Sequence, residues 1–150
     1  MILWRISNYL DLSGLGGLRA AARWHKAGAA IVYTASSPAS ALLEVLVHLE
    51  LNDPLQLPSH YQLLKIVVPD SLEMVSVEES SLGPNWRENV FATREIGDSW
   101  LRTKSTALLA VPSALVPDTK NYLLDPQHLD AKKISIAGHG RFPFDFRLFK

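Results

Sequence analysis

Short apolar and β-branched runs punctuate the chain, and most are too short for helices. Ile2-Leu3-Trp4-Arg5-Ile6, Ala30-Ile31-Val32-Tyr33-Thr34-Ala35, Tyr61 to Val68, Met74 to Val77, Thr106 to Val111 and Lys133 to Ala137 predict strands. Two segments predict helices instead. Ser37-Pro38 supplies a capping hydroxyl and a proline suited to a first helical position, so a helix is expected from there to about Leu51, stopped by Asn52-Asp53-Pro54. Thr93 to Leu101 places Ile96, Trp100 and Leu101 on one face, with Ser80 to Trp86 a turn and a helical beginning at Trp86. Asn121 to Pro126 reads as a loop. The tail Phe142, Phe144, Phe146, Phe149 alternates at first, which suggests packing on a sheet. Strands and helices do not alternate strictly, so the expectation is one α+β domain, central β-sheet structure with flanking helices, and not a doubly wound dinucleotide fold.

Composition narrows the chemistry. Of the 150 residues 47% are hydrophobic, enough for a core, and none is cysteine, which excludes disulfides, thiolate zinc and a cysteine nucleophile. Fifteen Lys plus Arg balance fifteen Asp plus Glu, an unpromising charge for direct nucleic-acid binding but compatible with a local pocket for a small anion. The histidines have no metal-ligand spacing, and no metal is assigned. Charge interrupts the N-terminus before a signal-peptide core forms, and the longest apolar stretch, Ala39 to Leu51, carries Glu44 and His48 and is too short for a bilayer. A soluble cytoplasmic protein without a membrane segment is expected.

Glu44 fits its surroundings least. Leu42, Val45, Leu46 and Leu49 form one apolar face, while Leu43 and Val47 flank Glu44 on the other side. Either the helix is buried nearly all round and holds a carboxylate for use, or Glu44 lies on a narrow solvent stripe one turn from His48. Arg23-Trp24-His25 offers a planar fork for a pyrophosphate beside an aromatic ring, or a surface arginine beside a core tryptophan. Tyr33 is similarly a ligand contact or core filling. Ser113, in Val111-Pro112-Ser113-Ala114, lacks the Gly-x-Ser-x-Gly frame of a nucleophile elbow and would ordinarily be a turn residue. Ser13-Gly14-Leu15-Gly16-Gly17 is a flexible loop or, less in keeping with its spacing, a phosphate cradle.

Taken in order, Leu3-Trp4-Arg5-Ile6, Ala22-Arg23-Trp24-His25, Val32-Tyr33-Thr34-Ala35 and Ala41-Leu42-Leu43-Glu44-Val45-Leu46-Val47-His48-Leu49 form one series. Ile96-Gly97-Asp98-Ser99-Trp100-Leu101, Val111-Pro112-Ser113-Ala114, Asn121-Tyr122-Leu123-Leu124-Asp125-Pro126-Gln127-His128 and Phe144-Asp145-Phe146-Arg147-Leu148-Phe149 continue it. This series resembles RES-domain proteins, toxins of the bacterial RES–Xre type II toxin–antitoxin systems. The resemblance implies a single RES domain over residues 1–150, with a fold similar to ADP-ribosyltransferases. It also implies growth arrest through loss of NAD, which is substrate and not resident cofactor. Arg23, Glu44 and Ser113 match the family's Arg-Glu-Ser set, with Tyr33 the fourth catalytic position; Arg23, Tyr33, Trp24 and Ser113 are the expected substrate-binding residues. Ala22 and Asp125 depart from the family's usual glycine and asparagine. The implied reaction is cleavage of the nicotinamide–ribose bond by water or phosphate. ADP-ribosyl transfer to a macromolecule, or a non-catalytic interaction subunit on the same fold, are the alternatives. The implied partner is an Xre-type helix-turn-helix antitoxin, and the apolar content leaves room for a homodimer.

Overall fold

The structure is a computed structural model that describes residues 1–49 and 58–149. Seven strands form one mixed sheet: β1 (Ile2–Ser7), β2 (Val32–Ala35), β3 (Gln62–Val67), β4 (Met74–Ser76), β5 (Leu108–Pro112), β6 (Lys120–Leu124) and β7 (Ser135–Arg141). Their order is β4-β5-β6-β2-β1-β3-β7. Only β4 and β5 run parallel; the other neighbours are antiparallel. The helices are α1 (Gly16–Arg19), α2 (Pro38–Leu46) and α3 (Val90–Thr103). Strands with two substantial helices make an α+β fold.

Side chains alternate across the sheet and divide the core into layers. Leu3, Val32, Leu64, Ile66, Leu108 and Leu124 pack on one face. On the other, Ile31, Leu109, Val111 and Leu123 meet Trp24, Trp86, Trp100 and Leu101 beneath α3. Ile6, Ala35 and Ala41 continue that face under α2, joined by Trp4, Tyr61, Phe142 and Phe144. The first two tail phenylalanines therefore pack on the sheet as their alternation predicts.

Local signals explain the helix starts. The Ser37 side chain accepts from the Ser40 N–H at 3.1 Å, with Pro38 in the first turn. The helix ends at Leu46, and the stop expected at Asn52-Asp53-Pro54 lies outside the described residues. It is not buried all round, since Leu43 and Val47 are exposed. α3 begins at Val90, not Trp86, because Asn89 caps the Ala92 N–H at 3.2 Å while Trp86 is buried in the preceding turn. It stops at Lys104, whose left-handed backbone (φ 52°) returns its N–H to Trp100.

The loop expected at Asn121 is instead the central strand β6. Lys120 and Asn121 have little strand preference, but β2 and β5 pair with this segment on both sides and impose the extended form. The glycine cluster is neither a free loop nor a cradle at the main cleft. Gly14, at φ +68°, lies so close to Ile31 that a Cβ would come within 2.6 Å of the Ile31 nitrogen. Among the described residues, no helix is long and apolar enough to cross a membrane.

Candidate functional site

Because α2 and α3 cover the same sheet face side by side, they leave a cleft of about 510 Å³ between them. That size suits a cofactor-sized molecule. Tyr33, Ala35 and Asn121 form part of its floor, Glu44 and His48 come from α2, and Arg94 comes from α3. Arg23 and Trp24 enter from a tight turn closed by the Ala22 N–H donating to the His25 carbonyl at 3.0 Å.

Glu44 is half-buried and is fixed through one oxygen. Its Oε1 accepts from Asn121 Nδ2 at 2.6 Å and from Ser113 Oγ at 3.2 Å. Both donors sit on the β5–β6 hairpin, far from Glu44 in sequence. Oε2 takes no hydrogen bond among the described residues, which leaves one carboxylate oxygen for a ligand. Glu44 makes no bond to His48, so the pair expected on a solvent stripe does not form. Ser113 is itself buried and does not line the cleft; its Oγ also accepts from the Leu115 and Val116 N–H groups at 3.2 and 3.1 Å. The serine thus stands behind the carboxylate and orients it.

Besides Arg5 of β1, two arginines approach the same cleft. Arg23 Nη1 donates to the Arg87 carbonyl at 2.8 Å, and Arg94 Nε donates to the Ala22 carbonyl at 2.7 Å. Neither forms an ion pair with a described acid. Their charges are positioned by neutral groups and stay available to an anion. Arg87 itself stacks over Trp86 at 4.6 Å and pairs with Glu79 at 2.8 Å, fixing the carbonyl that Arg23 uses.

Tyr33 lines the cleft while its hydroxyl is committed elsewhere. His25 Nε2 lies 3.2 Å from the Gly17 carbonyl and Nδ1 lies 2.8 Å from the Tyr33 hydroxyl. A carbonyl only accepts, so Nε2 carries the proton and Tyr33 donates to Nδ1. The same hydroxyl accepts the Trp24 N–H at 3.3 Å. Burial pushes the Tyr33 phenol up, keeping it a donor, and pushes the His25 imidazole down, keeping it neutral. Tyr33 is left with its ring to offer a ligand. Trp24 is only 2% exposed, its ring 6.2 Å from that of Trp86, and contributes chiefly to the core.

The Arg23 turn is strapped to α3. Thr93 Oγ1 donates to the Arg23 carbonyl at 2.6 Å, and Asp98 accepts the Lys26 N–H at 3.1 Å. Between them Gly97 lets the turn approach the helix: a Cβ there would sit 1.7 Å from the Trp24 oxygen. Ala22 is therefore part of the strap, through its carbonyl to Arg94. Asp125 lies away from the cleft, buried, with its charge met by Lys104 at 2.7 Å.

Arg23, Tyr33 and Glu44 thus converge on one cleft, Trp24 borders it from the core, and Ser113 reaches it through Glu44. Arg94 and Asn121 were not singled out as site residues from sequence. Arg94 follows Thr93 on the helix face that carries Gly97, a spacing that marks close packing. Asn121 carried no local signal beyond its place in the Asn121–His128 segment.

Comparison with known proteins extends this picture. The family model described as RES domain matches residues 2–145. A Pseudomonas putida protein named Toxin Res is 48% identical over 149 residues, covering 99% of this chain and all of that one. A Sphingobium protein named Prs ADP-ribosylating toxin is 38% identical, covering 93% of this chain and 88% of its own length. Among solved structures, the M. tuberculosis MbcT–MbcA toxin–antitoxin complex has a chain of similar fold, with TM-score 0.71, 16% identity, and coverage of 99% of this chain and 86% of that one. A family match across nearly the whole chain, joined to an end-to-end relative of high identity, establishes that this protein belongs to the RES domain family.

Proposed function

We propose that the protein is the toxin of a toxin–antitoxin pair and cleaves the nicotinamide–ribose bond of NAD. The observation that carries this reading is Glu44: a carboxylate anchored through one oxygen, with the other unbonded among the described residues, in a cleft that also holds two arginines with no described acidic partner. Two cationic forks suit a pyrophosphate, and an acceptor carboxylate suits a ribose that becomes positively charged.

In the reaction, the C1′–N bond breaks and its electron pair leaves with nicotinamide, which becomes neutral. An oxocarbenium-like ribose remains, as in glycoside cleavage. Glu44 stabilises it by charge and by accepting from a ribose hydroxyl. Ser113 keeps Glu44 oriented, Arg23 and Arg94 bind the diphosphate, and the Tyr33 ring covers the nicotinamide-ribose side. Water at C1′ then gives ADP-ribose and a proton; phosphate gives the 1-phosphate of ADP-ribose.

ADP-ribosyl transfer to a macromolecule is the second reading, favoured by the Sphingobium relative named for that activity. The two share bond breaking and differ in the acceptor. Incubating purified protein with NAD, with and without phosphate and then with cell extract, and weighing the products separates them. Consumption of NAD with release of nicotinamide is expected; intact NAD in every arm overturns both and points to a non-catalytic interaction subunit.

Similarity in fold to a chain of a toxin–antitoxin complex supports neutralisation by an antitoxin, for which an Xre-type helix-turn-helix protein is our expectation. Such an enzyme acts on cytoplasmic NAD. Co-expression with such a protein should restore cellular NAD.

A further inference from the structure

Asn121 occupies a position where a central strand would ordinarily place an apolar side chain. It lies between Ala35 of β2 and Val111 of β5, 9% exposed, on the floor of the cleft. A buried amide is costly unless its donor and acceptor are both satisfied. Only its donor is. Nδ2 donates to Glu44 Oε1 at 2.6 Å, while Oδ1 is buried with no hydrogen-bond partner among the described residues.

The amide cannot reverse to relieve this. Turning it over would set Oδ1 against the carboxylate at the same short distance, exchanging a charge-assisted bond for repulsion. Glu44 therefore fixes Asn121 with its acceptor unpaired, and Asn121 fixes Glu44 with Oε2 unpaired. Glu44 and Asn121 both line the cleft, and each keeps one acceptor oxygen without a described donor, which calls for a ligand that brings two donors. A phosphate cannot supply them, and a nicotinamide ring has no pair on adjacent carbons. A vicinal diol does.

We propose that Asn121 recognises the ribose diol together with Glu44, its Oδ1 accepting from one hydroxyl as Glu44 Oε2 accepts from the other. The role rests on the reading that a nicotinamide dinucleotide enters the cleft. It makes Asn121 a specificity residue toward the sugar and a positioning residue toward Glu44, and it makes the site selective for ribose over deoxyribose.

Kinetics on the parent protein and on Asn121→Ala and Asn121→Asp test it. With NAD, Asn121→Ala should raise KM about tenfold, the scale of one hydrogen bond. Dinucleotides lacking one hydroxyl of the nicotinamide ribose should lose about tenfold in kcat/KM with the parent, and for one of the two hydroxyls lose nothing further with Asn121→Ala. Asn121→Asp keeps the acceptor and removes the donor. Its carboxyl pair with Glu44 can share a proton at low pH, so its activity should fall as pH rises through a limb absent from the parent. Arg5, Arg23, Tyr33, His48 and Arg94, the other ionisable groups lining the cleft from the strands, the turn and the helices, are common to all three proteins.

Equal penalties for the deoxy analogues in parent and Asn121→Ala, or one pH profile for parent and Asn121→Asp, overturn the proposal. Melting curves identify a variant that fails to fold, and the Asp variant, of the same shape, keeps the test decisive. If the parent leaves NAD intact, the reaction reading fails separately. Calorimetric titration with ADP-ribose and with its counterpart lacking the diol then decides: discrimination by the parent and not by Asn121→Ala supports the role, and no discrimination by the parent overturns it.

Discussion

Glu44 meets two opposing demands: its charge must be held still, and one face of it must remain available. Placing both protein donors on Oε1 satisfies both. Glu44→Gln preserves the shape and an acceptor oxygen for Asn121 but removes the charge. Turnover of NAD should fall by roughly 10²–10³, the scale of one positioned electrostatic group, with binding retained by calorimetry. His25 makes a second prediction. Burial lowers its pKa in the folded protein below the ordinary 6.5, so the unfolded chain takes the proton first. Stability from neutral His25 is complete above about pH 6.5 and declines as pH falls toward the lower folded value. Melting temperature should drop across that window in the parent, and His25→Gln should remove this part of the drop. An unchanged pH dependence in the variant would show that other groups cause it. These residues differ in how legible they are. Glu44 stands out because a helix with little polar surface reports its own anomaly. Its partners Ser113 and Asn121 lie 69 and 77 residues away, and no periodicity connects residues at such separations.

At the scale of elements, the Arg23 turn is placed by α3 more than by its own sequence. Thr93, Arg94, Gly97 and Asp98 all engage the segment from Ala22 to Lys26. Gly97→Ala puts a methyl into the Trp24 carbonyl, and overpacking of this kind costs about 1–3 kcal/mol. It should lower the melting temperature and weaken NAD binding more than a similarly destabilising change beneath the opposite sheet face, because the displaced turn carries Arg23. Equal effects at equal stability would detach the turn from the site. The strands β1, β2, β3, β4, β5 and β7 and the start of α2 are legible because their signals are local: apolar runs, β-branching and a serine–proline start. The strand β6 was not, because neighbours on both sides create it. Neither reading of α2 holds whole: Leu43 and Val47 are exposed, so the helix is not buried all round, and Glu44 bonds Ser113 and Asn121 and not His48.

For the whole molecule, the zero formal charge conceals an uneven distribution. Glu78, Glu79, Glu95, Asp125 and Asp130 pair with cations outside the cleft lining, whereas Arg23 and Arg94 meet only carbonyls. Composition excluded a broad basic surface and left room for a placed one, and the sheet order shows how it arises: β6, β2 and β1 are central, so segments distant in sequence meet above them. That choice of anchor for the arginines also bears on acidity. Guanidinium groups and amide carbonyls neither gain nor lose protons under conditions where proteins remain folded. The grip on a diphosphate is therefore buffered against pH. KM for NAD should stay nearly level from about pH 6 to 9, and a KM that moves across that range would place a titrating group in the grip itself.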